Sequence, residues 1–234
     1  MAALPFPHPT TLPPGFVMSR VTPADVPEMA DIWSYTYWWS PSAEAMRAWN
    51  EERIRRRLRD PATHMFKIVD TTSPAQQSIV AWAKWDVPVS MAGRLREGFI
   101  LYDDDDDDDS GHRKTAAEGV RSLPDPPEGA DIPLMNEIFD GVRRMEEKWR
   151  AGEMLCLTHI CTRPAYHGRG LGSVLLRSGL DAADAAGVPT YLEALRLARP
   201  LYERHGFTAV DRLVVNHGRA AVEIMVRAGG NGER

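Results

Sequence analysis

The chain has 234 residues, with 28 Lys plus Arg against 33 Asp plus Glu and a formal net charge of −5. That length can bury a core without disulfides or metals, and the negative balance gives no general attraction to phosphate backbones, so bulk nucleic-acid binding is disfavoured. Apolar residues at 43% and charged residues at 26% are globular proportions, and no uncharged apolar run approaches the ~18 residues of a membrane span.

Residues 1–15 contain five prolines and neither lysine nor arginine, which reads as a flexible leader and not as a signal or transit peptide. Residues 16–21 form the first expected strand. Thr22-Pro23 offers an N-cap with proline at the first helical position, opening a helix to about residue 37. A second helix, 42–59, is capped by Ser42 and stopped by Asp60-Pro61. The β-rich runs 65–70 and 78–87 read as a hairpin. Residues 88–132 lack periodicity and include the run Asp103 to Asp109, so they read as a low-complexity insertion. A calcium loop would space its ligands and place a turn glycine, which this run does not do.

Leu134, Ile138, Val142, Met145 and Trp149 mark a helix over 132–151. Residues 154–162 are apolar on both faces, the pattern of an interior strand. Cys156 and Cys161 share it, and regular alternation points them to opposite faces, roughly 16 Å apart, where they cannot pair. A reducing compartment follows, the cytoplasm or the nucleus, and no Cys/His cluster has metal-ligand spacing, so no metal is expected. A helix then runs from Leu171 through Val174, Leu175, Gly179 and Ala182 to Gly187. A strand over 190–194, a short helix over 200–205 and a hairpin of 210–215 with 222–227 complete a single domain, 16–227, before a flexible tail, 228–234.

Two clusters invite other readings. The arginines at 53, 55, 56, 57 and 59 spread around the second helix among acids, which fits a solvated face. Trp33, Tyr35, Tyr37, Trp38, Trp39 and Trp49 crowd the first two helices, either as core packing or as an aromatic-lined pocket.

The strongest chemical signal is the buried strand, then Pro164, the loop Tyr166-His167-Gly168-Arg169-Gly170-Leu171-Gly172, and an amphipathic helix. A helix start offers unpaired N–H groups and a positive dipole end, which suit a diphosphate, and glycines let the backbone approach it. Arg169 adds a donor for a phosphate oxygen. No Gly-Lys-Ser/Thr occurs, which removes a P-loop. A dinucleotide fingerprint would use Glu193 as its acid, but the first glycine comes late after the strand and too little chain follows Glu193 to complete a doubly wound sheet.

Residues 163–176 resemble motif A of the GCN5-related N-acetyltransferases (GNAT), and Leu201-Tyr202-Glu203-Arg204-His205-Gly206-Phe207 is similar to motif B of that family. His167 departs from the usual glutamine or arginine. The resemblance implies an α/β fold with a mixed, mainly antiparallel sheet flanked by helices, in which acetyl-CoA, the co-substrate, lies between two splayed central strands. It implies that backbone groups of Ile160, Cys161 and Thr162 hold the pantetheine arm, and that His167, Gly168, Arg169, Gly170, Leu171, Gly172 and Ser173 form the diphosphate loop. Tyr202 would protonate the departing thiolate; a phenol is protonated at neutral pH and can do so. Glu193 and His159 are candidate bases, beside a hydrogen-bonded core role for His159 and a water-mediated route with no single base. The expected partner is a small-molecule or peptide amine, with no nucleic acid and no membrane, in a monomer or homodimer. The second functional reading is an acyl-CoA sensor without transfer activity.

Overall fold

The computed structural model describes residues 12–33, 42–72, 78–88 and 123–230. Its strands are β1 (Phe16–Arg20), β2 (Thr63–Asp70), β3 (Ser78–Asp86), β4 (Leu155–Thr162), β5 (Thr190–Leu195), β6 (Thr208–Val215) and β7 (Ala220–Arg227). The helices are α1 (Val26–Trp33), α2 (Ala43–Leu58), α3 (Ile132–Lys148), α4 (Leu171–Ala186) and α5 (Arg199–Arg204). All the strands join one sheet in the order β1-β2-β3-β4-β5-β7-β6, in which only β4 and β5 are parallel. This is the mixed, mainly antiparallel α/β fold that the motifs imply.

Helices cover both faces, so the central strands are buried on both sides. On one face Phe66, Ile68, Trp85, Leu155, Leu157 and Leu192 pack under Leu171, Leu175 and Leu176 of α4. Gly179 lets that helix lie directly on β3, because a Cβ there would stand 2.3 Å from the Trp85 ring. On the other face Met29 and Ile54 of α1 and α2 cover Met65, Val69, Ile79 and Trp82. Farther along that face, α3 packs on Tyr191, Leu213 and Ile224 through Ile138, Val142 and Met145.

Three expectations change. Residues 123–130 belong to the supposed insertion, yet Pro124 is buried and its carbonyl accepts the Trp49 Nε1–H at 3.4 Å. A buried indole N–H needs such an acceptor. The aspartate run and the expected helix beyond Trp33 lie outside the described residues.

The cysteines do not point to opposite faces. Across the β3–β4 pair Trp82 stands opposite Cys161, Lys84 opposite His159 and Asp86 opposite Cys156. Alternate residues of β3 share a face, so Cys156, His159 and Cys161 share one too. A bulge that slips the register past Thr158 inverts the alternation halfway along β4. Both cysteines are free thiols.

Nor are all the arginines of α2 solvated. Arg55 and Arg56 pair with Glu51 and Glu52, one turn back. Arg57 turns inward to Asp60 and Asp86, at 2.9 and 2.5 Å, and Arg53 stacks on Trp33 and Trp49 at 4.7 and 4.5 Å. Among the described members of the aromatic cluster, the cation in the box is the chain's own arginine.

Candidate active site

The sheet opens at its centre. The parallel pairs Leu155–Thr190, Cys156–Tyr191 and Leu157–Leu192 are followed by no others, although β4 continues to Thr162 and β5 to Leu195. Thr158 and Glu193 are therefore the first residues past the vertex. Beyond it the β5-facing backbone groups, those of Ile160 and Thr162, have no strand partner among the described residues, whereas those of Cys161, which stands opposite Trp82, turn to β3 and not to the opening. An extended ligand with alternating amide groups can use those of Ile160 and Thr162.

The loop beyond β4 meets the same opening. Arg163 anchors it to β3, donating to the Ile79 carbonyl at 2.7 Å and to Glu28 at 3.0 Å. Gly168 and Gly170 take φ of +77° and +79°, and an added Cβ at either would meet nothing within 4 Å, so both face open space. Gly170 is the N-cap of α4 and has no side chain to satisfy the first N–H groups, those of Leu171, Gly172 and Ser173. The open cradle, the free N–H groups and the dipole end fit the diphosphate of acetyl-CoA. His167 takes no part through Nε2, which lies 2.9 Å from the Thr162 carbonyl and must donate to it. Its ring ties the loop to the end of β4. Arg169 lies with its guanidinium carbon 4.7 Å from the centroid of the Tyr166 ring.

Of the three candidate catalytic side chains, Tyr202 packs on the α4 face of the sheet, and Glu193 and His159 lie on the other face. Tyr202, on α5, is 4% exposed and packs with Leu192 and Ala194 on the α4 face, its ring 6.0 Å from Phe207. Gly206, at φ +84°, turns the chain so that the Phe207 N–H reaches the Tyr202 carbonyl at 3.1 Å. Burial, and then the nearby Cys161, raise the Tyr202 pKa and keep the phenol protonated.

Glu193 lies on the opposite face, under α3. The buried Tyr191 hydroxyl donates to its Oε1 at 3.0 Å. Burial pushes the Glu193 carboxyl up to about 7, and the like charge of Glu146 on α3 adds to the rise. Glu146 belongs to a helix that the sequence revealed only as amphipathic, and nothing in its spacing signalled a second acid at this point.

His159 follows the bulge and is caged by aromatic rings: it stacks on Trp82 at 5.8 Å and meets the edge of Trp33 at 4.2 Å. Its buried Nδ1 has no hydrogen-bond partner, so the bonded core histidine weighed from sequence is not what the fold makes. Burial, and then Lys84, Arg53 and Arg57, hold its pKa well below the ordinary value. A ring so reluctant to take a proton is a poor base for an ammonium group.

Among known proteins, the acetyltransferase (GNAT) domain family matches residues 134–209. The structure of a histone acetyltransferase HPA2-related acetyltransferase from Corynebacterium glutamicum superposes with TM-score 0.56 at 19% identity, over 94% of this chain and 99% of that one. NAA60 of Arabidopsis thaliana, solved with a bisubstrate analogue, gives 0.51 at 15% identity, over 93% and 99%. Identities this low establish a shared fold. The family match shows an acetyltransferase (GNAT) domain over residues 134–209, the stretch that holds both motifs, and the acyl donor of that family is acetyl-CoA. Among the described residues no helix is long and apolar enough to cross a membrane.

Proposed function

We propose that the chain transfers an acetyl group from acetyl-CoA to a primary amine by direct attack on the thioester, with Glu193 as base and Tyr202 as acid. The observation that supports this reading is that Glu193, just past the vertex, lies on one face of the sheet with its carboxyl pushed up to about 7, while the Tyr202 phenol packs on the other and stays protonated. Acetyl-CoA supplies the acetyl group and the thiolate leaving group. Glu193 takes the proton that the attacking nitrogen must lose, Tyr202 gives one to the sulfur, and unpaired N–H groups of β4 polarise the carbonyl. A sensor would need the cradle but not a carboxyl tuned to pH 7, which favours the enzyme. The free thiols fit a cytoplasmic setting.

The test is the pH dependence of Glu193→Gln. In the wild type kcat/KM should rise as pH passes through about 7, and the variant should lose that limb with roughly a hundredfold drop in activity. Stability should move the other way. The folded-state pKa of Glu193 lies above the ordinary carboxylate value, so between the two the native state holds the extra proton. Wild-type stability therefore falls as pH rises from about 4.5 through about 7, and Glu193→Gln should melt higher than wild type at pH 8, by about 2–4 °C. A variant with the wild-type pH profile and the wild-type melting curve contradicts the assignment.

A further inference from the structure

A carboxylate beside a phosphate-binding loop should repel the ligand, yet Asp70, at the end of β2, is buried next to this one. Its donors explain how it is tolerated. Oδ1 accepts the Thr72 N–H at 2.9 Å and the Thr72 hydroxyl at 2.7 Å, and Oδ2 accepts the Tyr166 hydroxyl at 2.9 Å. Those donors, the Thr72 hydroxyl first, hold the carboxyl below its usual range. The turn that presents it is itself fixed, since the Thr71 N–H and hydroxyl both donate to the Gly15 carbonyl, at 2.8 and 2.9 Å.

Tyr166 is thus tied by its hydroxyl to a rigid corner of the sheet, across 96 residues of sequence. Its ring meets Phe16 of β1 edge to face at 6.0 Å. It also carries the Arg169 guanidinium, whose own hydrogen bond is a long one, 3.5 Å, to the Ala165 carbonyl. Among the described residues no carboxylate pairs with Arg169 within ion-pair distance. The cation beside the cradle is held by a ring platform, and its N–H groups are not committed to an acid.

We infer that Asp70 is a positioning residue for acetyl-CoA: through the Tyr166 hydroxyl it locks the ring on which Arg169 rests, and so presents that guanidinium to the phosphates at the start of α4. The inference rests on the reading that residues 168–173 hold the diphosphate. A donor fixed before binding loses less entropy when the anion arrives than one that must be gathered from solvent. The effect should therefore fall on affinity for the donor substrate and not on the chemical step.

The experiment is a double-mutant cycle on the whole chain with Tyr166→Phe and Arg169→Ala, reading calorimetric CoA affinity, KM for acetyl-CoA, kcat and melting temperature. Tyr166→Phe keeps the ring and removes only the tie. It is expected to weaken CoA binding and raise KM three- to tenfold, the scale of one hydrogen bond, with kcat within about twofold. In the double variant the loss should be little more than that of Arg169→Ala alone, because the hydroxyl acts through the guanidinium. Asp70→Asn should reproduce the Tyr166→Phe shift, and it supplies the reading if Tyr166→Phe melts too low to assay. Unchanged affinity in both tie variants, or fully additive losses in the double variant, overturns the inference while leaving the active-site reading intact. A wild-type chain that does not bind CoA overturns both.

Discussion

Tyr202→Phe is expected to lower turnover by roughly a hundredfold or more while leaving acetyl-CoA affinity nearly unchanged, the usual signature of a lost general acid. The side chain is almost wholly buried and its ring is part of the core, packed among Leu192, Ala194 and Phe207. Its hydroxyl nevertheless makes no hydrogen bond among the described residues, and phenylalanine matches everything except that group. A tyrosine kept only for packing would lose its oxygen at little cost and keep its rate. A tyrosine that protonates sulfur would keep its melting temperature and lose its rate. Steady-state thiol release, read with a melting curve and calorimetric affinity, separates the two. A folded, cofactor-binding variant with full activity refutes the catalytic role.

Gly170→Val should abolish CoA binding, at least a hundredfold by calorimetry, through two effects that reinforce each other. A φ of +79° lies where only glycine is at ease, and a β-branched residue there costs about 1–3 kcal/mol. The new side chain would also project into the open space above the loop, where no protein atom lies within 4 Å of the added Cβ. Because no core contact is lost, the variant should fold, with a lower melting temperature from the backbone strain alone. Gly170→Ala isolates that strain, since it adds the same φ penalty with much less bulk. A folded Gly170→Val with near-normal affinity would show that the diphosphate does not sit on this turn.

Much of this architecture was legible in the sequence because its signals are local. Pro164, the glycines at 168, 170 and 172 and the apolar stripe of α4 are read within one segment, and so is the turn from Tyr202 to Phe207. The features that shape the chemistry are not local. The bulge past Thr158 is a slip in register against β3, and without it strict alternation put Cys156 and Cys161 on opposite faces. Glu146 meets Glu193 only because α3 crosses the sheet, and Asp70 meets Tyr166 only because the corner at the end of β2 lies beside the loop. The acidic neighbours of Arg53 suggest a solvated side chain, whereas stacking on Trp33 and Trp49 draws it inward. His159 is a candidate base by residue type, but burial in its aromatic cage, with three nearby cations, lowers its pKa well below the ordinary value, which no local pattern announces.

The most direct test of the account is to incubate the chain with acetyl-CoA and a panel of small amines and peptide amines, following free thiol and the product mass together. Thiol should appear only with a responsive amine, one equivalent for each acetyl group gained by that amine. Rates should increase as pH passes through about 7. Saturable CoA binding with no amine-dependent thiol release across the panel would contradict the transferase mechanism and leave a binding protein in its place.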